Sequence, residues 1–104
     1  MTEQQENFRI EMMQRNAAQA EALLKELANA NRLIVLCHLI GGEKSVGELA
    51  KTVGLSHSAL SQHLTRLREA GLVEHDKRGL MVYYRICSIE AQALLGMLYV
   101  MYCK

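Results

Sequence analysis

The chain has 104 residues, half of them apolar, with a formal net charge of +1, three cysteines and no proline. That length suits one domain around one core, and the apolar share excludes a disordered chain. A near-neutral total excludes no class of partner, because what matters is where the charge sits.

The opening "MTEQQENFRI" is polar and acidic, unlike a secretory leader, and no run of 18 apolar residues offers a membrane span. A cytoplasmic protein is expected, with its cysteines reduced rather than locked in a disulfide framework. Met13, Ala17, Ala20, Leu23, Leu24 and Leu27 recur at three- and four-residue steps and predict a long first helix. "ANAN" interrupts it, and Asn29 is placed to cap a second helix carrying Leu33, Ile34, Leu36, Cys37 and Ile40. Gly41 and Gly42 suit the end of that helix. Ser45 with Glu48 has capping-box spacing and predicts a short third helix ending at Gly54.

Ser56 then caps a fourth helix running to about Ala70, with Leu60, Leu64 and Leu67 on one face. Two short helices joined by a glycine-containing turn predict a helix-turn-helix. After Gly71 the period changes, and Leu72–His75 and Leu80–Ile86 predict two strands around a charged turn, "DKRG". Ser88 is placed to cap a last helix with apolar positions at Ala93, Leu94, Met97, Leu98, Met101 and Tyr102. The expected fold is mainly α with a small β-hairpin, a winged helix-turn-helix in the order α-α-α-α-β-β-α. It spans residues 1–104 as one unit.

The fourth helix presents His57, Ser58, Ser61, Gln62, His63 and Thr65, small or polar groups that let a helix enter the major groove and bond to base edges. Gln62 is the candidate for adenine, since its amide can bond bidentately there. Arg66, Arg68, Lys77 and Arg78 are candidates for phosphate contacts, the last two along the hairpin. Residues 56–86 carry five Lys/Arg against three Asp/Glu, whereas residues 1–32 carry four against five. The expected partner is double-stranded operator DNA. The last helix is apolar over most of its circumference and has to be buried somewhere. A homodimer through the first and last helices is therefore expected, and it suits a pseudo-palindromic operator.

"LANANRLIVLCHLI", "SVGELAKTVGLSHSALSQHLTRLREAGLV" and "RGLMVYYRI" resemble the ArsR family of winged-helix repressors over nearly the whole chain, "SALSQHLTRLREAGLV" most specifically. The family's usual metal sites lack their ligands here: "SVGELA" has no cysteine, and "SIEAQALLGMLYVMYCK" has only Glu90 and no histidine. No metal and no cofactor is expected. "VLCHL" and "YCK" resemble the dithiol branch of the family. That resemblance implies that Cys37 and Cys103 lie near each other in one subunit and sense persulfides and other reactive sulfur species. A disulfide or polysulfide bridge between them would release DNA. The branch includes repressors and an anti-silencing activator, so the sign of regulation stays open. Cys87, outside the two-cysteine pattern, is expected to be structural. Two other readings stay open: a metal-responsive repressor using Cys37, Cys103 and His38, and a thiol enzyme. The second lacks convergent base, acid and oxyanion donors, so no enzyme is expected.

Overall fold

The computed structural model describes residues 1–103. It contains α1 (Glu3–Leu27), α2 (Ala30–Leu39), β1 (Lys44–Ser45), α3 (Val46–Val53), α4 (His57–Glu69), β2 (Val73–Arg78), β3 (Met81–Ile86) and α5 (Ile89–Tyr102). The helix starts follow from side-chain oxygens that accept the backbone N–H groups a first turn leaves unpaired. Asn29 accepts from Arg32, Ser45 from Glu48, Ser56 from Ala59 and Ser88 from Ala91. Glu48 returns a bond to the Ser45 N–H and completes the expected capping box, and a second box joins Thr2 and Gln5 at the start of α1. Gly54 ends α3 with φ +72°, a conformation costly for any residue with a Cβ, and so sets the turn between α3 and α4.

The hairpin departs from expectation. "DKRG" is not the turn: β2 continues through Asp76, Lys77 and Arg78, and the reversal falls at Gly79–Leu80, with Gly79 at φ +62°. Leu80, expected in the second strand, stands at the tip, 97% exposed. Within that strand Asp76 is opposite Tyr83 and accepts from Arg85 of β3 at 2.6 Å. Lys44 and Ser45 form a third strand, antiparallel to β3, in the sheet order β1-β3-β2. Two residues are too few for an alternation pattern, so β1 leaves no trace in the sequence.

The core is Leu27, Val35, Leu36, Leu39, Leu49, Leu60, Leu64, Leu67, Leu72, Val73, Tyr84, Ala91 and Leu95. Leu60, Leu64 and Leu67 seat α4 by the face expected of them, which leaves its polar face outward. The terminal helices contribute little: Leu27 is the buried residue of α1, and Ala91 and Leu95 those of α5. The radius of gyration is 16.2 Å, against about 13 Å for a compact domain of about 100 residues. Phe8, Met13 and Leu24 on α1 and Met97, Val100 and Tyr102 on α5 face solvent in the single chain.

Candidate nucleic-acid interface and thiol pair

Ser58, Ser61 and Gln62 are exposed on one side of α4, and Thr65 on the same side is half-buried. His57 is exposed on the first turn, beside the Ser56 cap. His63 is half-buried, at the margin between this face and the core. The structure thus brings the hydroxyls and the Gln62 amide together and sets His63 to one side.

The cations divide differently. Arg78 donates to both carboxylate oxygens of Glu43, at 2.6 and 2.9 Å, and to Asp76 at 2.9 Å, while its guanidinium lies 4.5 Å from the centre of the Tyr83 ring. Arg85 donates to Glu74 at 2.8 Å as well as to Asp76. The hydrogen bonds from Arg78 hold the Glu43 carboxyl below its ordinary range. Those from Arg85, then Arg78, do the same for Asp76. Both guanidiniums are correspondingly harder to deprotonate. Arg66 is bound to Glu26 at 2.9 Å. Arg68 lies 3.4 Å from His75 Nε2, and His75 stacks on Tyr84 with ring centroids 5.1 Å apart. Lys77 forms no ion pair among the described residues. The cationic excess counted along residues 56–86 is therefore largely neutralised, because Glu26 and Glu43 lie outside that window in sequence but against it in space. Arg68 and Lys77 are left without a carboxylate partner among the described residues. The sequence gives no sign of Glu26 or Glu43 as partners, since each is separated from its arginine by 40 and 35 positions respectively.

All three cysteines are free thiols. Cys37 is half-buried against the core from α2. Desolvation raises its pKa above the ordinary 9.0, and the charge of Cys103 raises it further. Cys103 is exposed just beyond α5, its N–H bonded to the Tyr99 carbonyl at 2.9 Å. Cys87 lies elsewhere, its thiol donating to the Gly71 carbonyl at 3.5 Å. Desolvation and the Glu74 charge raise its pKa. No three His, Cys, Asp or Glu side chains gather to hold a metal ion among the described residues. No helix among them is long and apolar enough to cross a membrane.

A capped helix-turn-helix with an outward polar second helix, followed by a two-stranded wing, defines a winged-helix transcription regulator. Residues 29–75 match the model of the bacterial regulatory proteins of the arsR family. The chain is 45% identical over 95 residues to the transcriptional activator HlyU of Vibrio cholerae, covering 91% of this chain and 88% of that one. It is 39% identical over 93 residues to the biofilm growth-associated repressor of Xylella fastidiosa, covering 89% and 82%. Reduced HlyU from Vibrio cholerae superposes with a TM-score of 0.85 at 46% identity, over 89% of this chain and 98% of that one. The transcriptional repressor BigR from Xylella fastidiosa gives 0.85 at 38%, over 90% and 96%. The chain belongs to the ArsR family of DNA-binding transcriptional regulators, which are not enzymes.

Proposed function

We propose that this regulator acts in the cytoplasm as a homodimer that binds operator DNA when reduced and releases it when Cys37 and Cys103 are bridged. The observation that carries the thiol switch is the pair of free thiols, Cys37 half-buried on α2 and Cys103 exposed just beyond α5, with Cys103, after desolvation, among the causes that raise the Cys37 pKa. The exposed Cys103 thiolate takes a sulfur atom from a persulfide, R–S–SH, forming Cys103–S–SH and releasing RS⁻. The Cys37 thiolate then attacks Cys103 Sγ, forming the Cys37–Cys103 disulfide and expelling HS⁻. If Cys37 already carries a persulfide, the same displacement leaves a trisulfide. Either bridge ties the end of α5 to α2.

Dimerisation is supported by the uncovered apolar surfaces of α1 and α5. The DNA contacts in this reading are Ser58, Ser61, Gln62 and Thr65 to bases, His57 at the helix start, and Arg68 and Lys77 to phosphates. His63 plays a marginal part. Arg66 and Arg78 reach phosphate only by leaving their carboxylates. The test is intact mass and peptide mapping after treatment with glutathione persulfide. A bridge within one chain, absent in Cys37→Ser and Cys103→Ser, with loss of DNA binding in the wild type alone, is expected; unlinked adducts on all three cysteines would sink the switch. An activator working by displacement of a silencer is the second reading, favoured by the name of the HlyU relative. A promoter reporter decides between them: deletion of the regulator raises expression for a repressor and lowers it for an activator.

A further inference from the structure

Three helices meet at one carboxylate. Glu26, in the last turn of α1, has a side chain only 13% exposed, and two guanidiniums face it. Arg32, from the first turn of α2, is itself 7% exposed. Its Nε donates to the Glu26 carbonyl at 2.7 Å and its terminal nitrogen to the Lys25 carbonyl at 3.0 Å. It thus satisfies carbonyls that the end of α1 leaves unpaired, at the end of the helix where a cation is favoured. The same Nε is 3.6 Å from the Glu26 carboxylate. From the other side, Arg66 of α4 places Nε 2.9 and 3.1 Å from the two oxygens of that carboxylate.

An exposed ion pair between flexible side chains contributes little. Here Arg66 is itself 56% exposed, but its partner is not free to wander: Glu26 is 13% exposed and sits beside Arg32, which is fixed by burial and by its bonds to the α1 carbonyls. Arg66 also lies one step from Thr65 and four from Gln62, so its anchoring fixes both the rotation and the offset of the polar face.

We propose that Glu26 is a positioning residue for DNA reading, and that Arg66 is its tether on α4 rather than a phosphate contact. The junction holds the reading helix to the corner where α1, the helix assigned to the dimer, meets α2, the helix of Cys37. The inference rests on α4 being the element that reads the operator.

The test uses the full-length reduced protein and two labelled duplexes, one selected by the wild type from a random pool and one of scrambled sequence. Arg66→Met is expected to lower the ratio of selected to scrambled affinity about tenfold, the size typical of coupling through such connections, with little change for the scrambled duplex. The salt dependence of binding should keep its slope. Glu26→Gln should lower the ratio similarly, the double variant no further, and Arg66→Lys should restore part of it. Arg66→Met carries the test if Glu26→Gln, which leaves a buried guanidinium without its carboxylate, fails to fold. Equal weakening on both duplexes, with a salt slope smaller by about 0.9 for one lost phosphate contact, would make Arg66 a phosphate ligand and overturn the proposal. An unchanged ratio with only a lower melting temperature would reduce the junction to a purely structural role and overturn it too. A variant with Ser58, Ser61 and Gln62 all changed to Ala, run in parallel, separates the underlying reading: if it leaves the ratio unchanged, α4 does not read bases, whatever Arg66 does.

Discussion

The middle of the molecule and its two ends are built on opposite terms. From α2 to α4 a row of leucines points inward, with Leu36, Leu49, Leu60, Leu64 and Leu67 fully buried. At the ends, α1 and α5 bury Leu27, Ala91 and Leu95 but leave much of their apolar surface uncovered, and Tyr102 is 79% exposed. At about 1.5–3 kcal/mol for each large side chain fully buried, the middle accounts for the fold of a single chain. The exposed side chains of the ends contribute only when something covers them. A regulator benefits from this division. The reading unit keeps its shape, while in the proposed dimer the contacts between two such units would lie in helices that a bridge between Cys37 and Cys103 acts upon.

That contrast can be broken most directly in the middle. Leu64→Ala opens a cavity in a site with no solvent access and should cost about 2–5 kcal/mol, read as a lower urea midpoint at unchanged slope. A loss under about 1 kcal/mol would mean the core is looser than its burial implies. At the ends, Val100→Glu should leave the fold of the chain within about 0.5 kcal/mol yet abolish the dimer in sedimentation. Its melting temperature should then lose any dependence on protein concentration. A variant that still sediments as a dimer would move the interface away from α5.

Two smaller effects sharpen the picture at the wing. Ser45→Ala removes the α3 cap and should cost about 1 kcal/mol by denaturant titration, since its hydroxyl accepts the Glu48 N–H in a buried setting. Weakest of all is the acid sensitivity of the ion pairs that join Glu43 and Asp76 to Arg78 and Arg85. Both carboxyls ionise more readily folded than at their ordinary values of 4.5 and 3.8. Their stabilisation is therefore present above those values and is lost as pH falls through the lower folded ones. Hydrogen exchange of the β2–β3 amides should speed up below about pH 4 before that of Leu60–Leu67 does. Simultaneous loss of protection would show that the wing and core open as one unit.

Much of this was accessible in the sequence. Asn29, Ser45, Ser56 and Ser88 mark helix starts because a cap acts across three residues, and Gly54 marks an end because its φ of +72° excludes most side chains. The inward row Leu60, Leu64 and Leu67 follows from helical period alone, and with it the outward Ser58, Ser61 and Gln62. The turn reads as Asp76–Gly79 because a run of charges resembles a loop when its cross-strand partners are unknown; only its last residue, Gly79, lies in the reversal.

Local chemistry thus determined the elements, their order, the polar face of α4 and the presence of a thiol on α2 and another beyond α5. Tertiary structure alone decided that Arg66 belongs to Glu26 and Arg78 to Glu43, that Cys37 is half-buried while Cys103 is exposed, and that the apolar faces of α1 and α5 stay uncovered in one chain. The physical reason is range. Caps, turns and helix faces are settled by groups a few residues apart, whereas an ion pair or thiol pair spanning tens of residues exists only once the helices between them have packed.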